Sequence, residues 1–388
     1  MGDKAELEMG RYRVGLVGCG RQGTFFARAF ATNPATEVVA GCNRSQDTLD
    51  LFCRRFGVPG YNDYRQMLRD ESLDIVATVL PVKPNPEVVI ASARAGIRGI
   101  MSEKPVAARL CDLDRMVEAC AEAGAFYQAG NVDRVRPQNW AARAAIAQGA
   151  IGEVRHINCY THIVQGGCNA LTWAKMYALG QFIRGQSGKD ADAEWVVGKT
   201  AGDPFSDGDE GLEGIGGFIH FANGIEMTVH LRTAARHGVE VVGAKGVFAS
   251  DGRRLRFWQK TDEAGAGSFS GMKEVFGLAP QIPPEETVRS PAGWLEPDER
   301  IRDTVQSIVD ALDNDAEPRC SGRDQQDAFE IAVALRESAR RGHAPVKLPL
   351  PAELRQQPMW PVPYRWNSKR DLYGGDWYRQ EMQKHKPL

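Results

Sequence analysis

Short apolar runs alternate with amphipathic stretches through the first third of the chain. Tyr12–Val17 is an apolar run ending in Gly18-Cys19-Gly20-Arg21-Gln22-Gly23, after which Phe25, Phe26, Ala29 and Phe30 follow helical spacing. Glu37–Cys42, Leu73–Leu80, Ile97–Ser102 and Ala125–Ala129 read as further buried strands. Between them lie helical stretches at Asp47–Phe56 and Val88–Ala95, and a third in which Leu110, Leu113, Met116, Val117 and Cys120 share one face. Strands and helices alternating at this spacing predict a parallel, doubly wound sheet.

After about residue 150 the period changes. Ile225, Met227, Val229 and Leu231 alternate with Glu226, Thr228, His230 and Arg232, as in a strand with one wet face. Asn223-Gly224 before it is a hairpin turn. Val239–Val242, Gly246–Ser250 and Leu255–Gln259 continue as short strands, so a mainly antiparallel sheet with one open face is expected. Such a face needs a partner, and a homodimer or homotetramer built through it follows. Ile301, Val305, Ile308, Val309 and Leu312 form the stripe of a late helix, and a second spans roughly Gln325–Arg341. Residues 351–388, rich in Pro, Trp and Tyr, read as an extended tail packed on a surface.

The fold class is thus α/β for residues 1–133, α+β for 134–350, then the tail. A length of 388 residues suits two such domains. A net charge of -2 leaves no basic footprint for nucleic acid. With no long apolar stretch and a polar opening, no membrane partner and a cytoplasmic location are expected. The eight Cys show no CxxC spacing, which favours reduced thiols over disulfides or a metal site.

The glycine run carries the first chemistry. A GxGxxG between strand and helix gives a tight turn at Gly18, backbone access to a pyrophosphate at Gly20, and close packing at Gly23. The backbone of Arg21 and Gln22 then opens a helix whose N-terminus favours phosphate. Some twenty residues on stands Asn43-Arg44-Ser45 rather than an acid. Asn43 removes a charge that would repel a 2′-phosphate, while Arg44 and Ser45 supply a cation and a donor, so NADP is favoured. NAD stays open, because Asn43 can still bond a ribose hydroxyl.

With that run, Ser102-Glu103-Lys104-Pro105 makes the chain resemble the glucose-fructose oxidoreductase / inositol dehydrogenase / rhizopine-catabolism (Gfo/Idh/MocA) family. Tyr61–Tyr64, Leu73–Val76, Gly149–Val154, Ala244–Gly246 and Val346–Leu350 extend the likeness over residues 11–350. The resemblance implies a Rossmann domain and hydride exchange between nicotinamide and a secondary hydroxyl or carbonyl of a sugar, cyclitol or sugar derivative. It places Lys104 beside the nicotinamide and the reacting oxygen, with Leu80, Pro81, Asn85 and Glu103 lining the cofactor. The family's Asp-x-x-x-His pair has Leu171 and Lys175 in its place. Lys175, Tyr177 or His162 is then the candidate proton relay. Lys175, His162, Trp173 and Arg134 are candidate substrate contacts, with packing or ion pairing as the other reading. Two other functions fit the same fold: tightly held NAD(P) used for transient oxidation in glycoside cleavage or epimerisation, and non-catalytic cofactor sensing.

Overall fold

The computed structural model describes residues 11–161, 168–179, 190–200, 214–231, 236–261, 271–278 and 299–359, with Cys168 described in its backbone alone. Its first sheet contains β1 (Tyr12–Val17), β2 (Thr36–Cys42), β3 (Gly60–Tyr61), β4 (Ile75–Thr78), β5 (Gly99–Ser102) and β6 (Phe126–Ala129). All pairings are parallel, in the order β3-β2-β1-β4-β5-β6. The connecting helices are α1 (Arg21–Thr32), α2 (Gln46–Phe56), α3 (Tyr64–Asp70), α4 (Asn85–Arg94) and α5 (Leu110–Glu122). Every residue of β4 and β5 is buried, as strands covered on both faces require.

The second half follows α6 (Pro137–Ala147) and is built on β7 (Val154–Cys159), α7 (Cys168–Lys175), β8 (Ala193–Thr200), β9 (Ile215–Phe221) and β10 (Glu226–Val229). It continues through β11 (Val239–Gly243), β12 (Gly246–Ser250), β13 (Leu255–Lys260) and β14 (Met272–Val275). Then come α8 (Glu299–Asn314), α9 (Gly322–Arg340), β15 (Val346–Lys347) and α10 (Ala352–Arg355). Nine strands run in the order β14-β13-β12-β11-β7-β10-β9-β8-β15. Only β7 and β10 pair in parallel, so the sheet is mixed but mainly antiparallel, as the alternating residues imply. Asn223-Gly224 makes the β9–β10 turn, with Gly224 at φ 80° and the Asn223 side chain accepting from the Ile225 amide.

Helix α9 covers β8 and β9. It approaches so closely that a Cβ on Gly198 would stand 1.8 Å from the Leu335 carbonyl oxygen. Helix α7 lies on β7. On the opposite face, cross-strand pairing lines up Trp195, His220, Glu226, His156, Val242, Val247 and Trp258. Trp195 stacks on His220 at 5.2 Å there.

The linear division at residue 133 misplaces one helix. Ile301, Val305, Ile308 and Leu312 of α8 join the core that holds Val14, Leu16, Phe26, Phe30 and Ile75. The stripe read from sequence therefore covers the first sheet, because that face has apolar residues without a cover of their own. Of the stretch read as an extended tail, Ala352–Arg355 form α10 and Met359 donates its amide to the Ala108 carbonyl at 2.8 Å; residues 360–388 lie outside the described residues. Among the described residues no helix is long and apolar enough to cross a membrane.

Candidate functional site

Each glycine of the turn after β1 answers a different demand. Gly18 sits at φ 103°, and a Cβ there would lie 2.2 Å from the Val79 carbonyl oxygen. A Cβ on Gly23 would lie 1.8 Å from the Gly18 carbonyl oxygen, which locks α1 against the turn. Gly20 differs: no atom lies within 4 Å of a Cβ built on it, so its surface opens outward. It is also the N-cap of α1 and gives the helix no side-chain cap. The first-turn amides at Arg21 and Gln22 thus lie beside open space, a cradle of the shape and polarity that a pyrophosphate fits.

Asn43 braces this turn. Its side-chain oxygen accepts from the Cys19 amide at 3.2 Å, and Asn62 donates to its carbonyl at 3.0 Å. Arg44 and Ser45 follow as exposed residues, and Arg44 has no ion-pair partner among the described residues. Leu80 flanks Gly18, its Cδ2 3.3 Å from a Cβ built there, while Pro81 is exposed.

Lys104 stands just past the carboxyl end of β5, with its side chain 20% exposed and Nζ 3.6 Å from Glu103 Oε1. The turn that carries it is fixed from behind. Thr78 and Ser102 share a 2.8 Å hydroxyl contact, and Asn85 donates to the Val106 carbonyl at 2.7 Å. Asn85 is fully buried. Its amide nitrogen holds the lysine turn, while its side-chain oxygen has no hydrogen-bond partner among the described residues. Gly130 lets Glu103 lie against β6, since a Cβ there would meet Glu103 Oε2 at 2.8 Å.

The second-domain candidates fall into a buried charge network. Arg134 pairs with Asp190 and with Asp324, each at 2.8 Å, and also donates to the Thr172 and Arg319 carbonyls. Arg143 reaches the other oxygen of Asp190 at 3.2 Å. Lys175 meets Asp327 at 3.0 Å with only 2% of its side chain exposed. Burial pulls the Lys175 ammonium down, but Asp327, Asp190 and Asp324 outweigh it and hold it above the ordinary lysine value. For Asp190, burial pushes upward and is outweighed by Arg134, Lys175 and Arg143, so its carboxyl lies below the usual range.

These placements favour the packing or ion-pair reading of four residues. Arg134 spends its guanidinium on protein oxygens, so it is an ion-pair residue and not a substrate contact. Lys175 is held charged and buried, which unfits it as a proton relay or substrate contact. Tyr177 is fully buried 5.2 Å from Phe248, and burial raises its hydroxyl beyond reach of proton exchange near neutrality. Trp173 is fully buried as well. His162 lies outside the described residues. The sequence reading missed Asp190, Asp324, Asp327 and Arg143. One signal was present for Asp324: Ser321-x-x-Asp324 is a capping box, and both of its hydrogen bonds form.

Residues 12–131 match the model of an oxidoreductase family with an NAD-binding Rossmann fold. D-apiose dehydrogenase of Paraburkholderia graminis is 33% identical over 147 residues, covering 37% of this chain and 38% of that protein. The chain thus spans less than half the length of that relative. Myo-inositol 2-dehydrogenase of Thermotoga maritima is 25% identical over 65% of this chain and 79% of its own. Among solved structures, levoglucosan dehydrogenase with NADH and L-sorbose superposes with TM-score 0.68 at 19% identity, covering 88% of this chain and all of that one. The WlbA dehydrogenase of Bordetella pertussis with NADH and UDP-GlcNAcA gives 0.65 at 21% identity, covering 88% and 99%. At these identities the structural likeness is one of fold.

The charge network yields a stability test. A raised lysine contributes fully below its ordinary pKa, and the contribution fades as pH rises through the folded value. Lys175→Met is expected to cost about 1–3 kcal/mol in denaturant melts, less than a fully buried pair because Asp327 is 36% exposed. The gap should hold through neutral pH and close only above the ordinary lysine range. A gap that closes instead between about pH 6 and 9, where neither lysine nor carboxylate ordinarily titrates, would remove Lys175 from the network's account.

Proposed function

We propose that the chain, whose residues 12–131 match an oxidoreductase family model with an NAD-binding Rossmann fold, belongs to the Gfo/Idh/MocA family and is a nicotinamide-dependent dehydrogenase of a sugar, cyclitol or sugar derivative. The observation that carries the reading is one of placement. The glycine turn and Lys104 stand at the carboxyl ends of β1 and β5, on the same edge of one parallel sheet. In open α/β sheets that edge is where ligands bind.

A bound nicotinamide would accept or give the hydride at a secondary alcohol carbon. The chain's own residues do the rest. The Gly18–Gly23 turn and the α1 N-terminus bind phosphate. Asn43, Arg44 and Ser45 face the adenine ribose, where Arg44 and Ser45 favour NADP. Leu80 and Pro81 flank the turn. Lys104 donates to the substrate oxygen and stabilises negative charge developing there. Glu103 holds the lysine from one side, and Asn85 holds its turn from below. Names among the relatives support the substrate class, with apiose and inositol dehydrogenases on one side and a levoglucosan dehydrogenase structure on the other.

The open face of the nine-stranded sheet completes the proposal. Trp195, Phe218, His220 and Trp258 leave it partly apolar, and a second copy of the chain covers it. Light scattering is expected to give a dimer or tetramer, and a monomer at micromolar concentration would count against this.

Arg44→Ala is expected to weaken NADP binding by about 1.5–3 kcal/mol and NAD binding far less, through loss of a charged hydrogen bond. Titration of both cofactors by fluorescence checks this, and equal losses would refute the assignment.

Lys104→Met keeps the length of the side chain and removes its charge and donors. The fold and cofactor affinity should survive. Stopped-flow hydride transfer should slow by about a hundredfold or more. A rate within a few-fold of wild type would take Lys104 out of the chemistry.

A further inference from the structure

Outside the cofactor edge, helices α3 and α4 leave a groove between them of about 610 Å3 on the flank of the first sheet. That volume lies within the range of about 300–1,000 Å3 typical of small-molecule sites. Its floor is apolar: Leu68 and Tyr64 come from α3, Ile90 and Ala91 from α4. Its rim is basic, with four arginines against the single carboxylate of Glu87.

The four cations are not equivalent. Arg65 lies 3.7 Å from Glu87 and 4.0 Å from Asp63, and rests on the Tyr64 ring at 4.5 Å. Arg115 lies 3.5 Å from Asp112. Arg69 and Arg94 line the same groove, are exposed, and have no ion-pair or hydrogen-bond partner with any described residue. They come from α3 and α4 respectively, so the two uncommitted guanidiniums edge one apolar trough from two elements. Nothing in the hydride-transfer reading uses them.

We propose that the α3–α4 groove is a second binding site, separate from the cofactor cradle, for an amphiphilic organic phosphate. The apolar body lies along Leu68, Ile90 and Ala91, and the phosphate is held by Arg69 and Arg94. A guanidinium matches a phosphate with two parallel N–H donors, a geometry lysine lacks. The apolar floor supplies the part of the affinity that salt does not screen. A free metabolite and a lipid headgroup share this chemistry.

The test is isothermal titration of octyl phosphate, octan-1-ol and inorganic phosphate into the full chain saturated with NADP. Saturation occupies the glycine turn, so the heat reports another site, and the readout needs no turnover. It therefore stands apart from the dehydrogenase reading. One octyl phosphate should bind per chain, more tightly than either octanol or inorganic phosphate, and more weakly as salt is added. Arg69→Ala with Arg94→Ala should weaken it by about tenfold or more. Ala91→Glu, which sets a carboxylate in the groove without touching an arginine, should do the same. All three positions are on the helix surface, so thermal midpoints should stay within a few degrees of wild type. Equal affinity of wild type and both variants overturns the proposal. So does octanol or inorganic phosphate binding as tightly as octyl phosphate. Co-sedimentation with phosphatidylglycerol vesicles that the double variant abolishes assigns the phosphate to a lipid headgroup, and its absence assigns it to a free ligand.

Discussion

Arg134 is the residue on which the junction of the two sheets depends. It follows β6, and its guanidinium reaches Asp190 just before β8, Asp324 at the start of α9, and the backbone of α7. Arg143 and Lys175 bring two further cations to the same region, with Asp327 as a third acid. Three cations thus meet three carboxylates. A lone charge at this depth would carry a desolvation penalty of several kcal/mol. Balance removes most of that penalty, and it also fixes geometry, since each partner has one place where its charge is met. The network adds a directional constraint on α7 and α9 to the close packing that already seats them.

At the position where the resemblance places an acid–base pair, the described residues hold part of the same network. The stretch that resembles the helix bearing that pair carries Lys175, and Asp327 of α9 claims its ammonium. A lysine so held is a structural cation. Lys104, by contrast, stands at the carboxyl end of β5 beside Glu103, with the buried Thr78–Ser102–Asn85 bonds behind it.

Much of the fold was legible because local patterns carried it. Period two in Ile225–Leu231, the Asn223-Gly224 turn and the mostly apolar, fully buried β4 and β5 are consequences of burial on one face or two, and burial is written in residue type. The glycine turn was legible for a related reason: a residue that must have no Cβ can only be glycine. The charge network was not. Arg134, Asp190 and Asp324 are each ordinary polar residues in sequence, and nothing in a single chain marks charges some fifty to two hundred positions apart as partners. The pairing of Lys175 was hidden for that reason, since it depends on Asp327. The partner face of α8 was hidden similarly: the stripe shows that the helix packs, and not which sheet it packs on.

That return of α8 has a bearing on synthesis. The face of the first sheet built from Val14, Leu16, Ile75 and Met101, with Phe26 and Phe30 of α1 on it, shares its core with Ile301, Val305, Ile308 and Leu312. On the ribosome, β1 to β6 emerge long before α8 does. At typical elongation rates the interval is on the order of ten seconds or more, far longer than a small parallel sheet needs to collapse. During it the nascent domain shows an apolar surface that its own residues do not close. This chain is therefore a natural client for chaperones that hold emerging segments, and truncation ahead of residue 299 leaves a sticky domain rather than a minimal one.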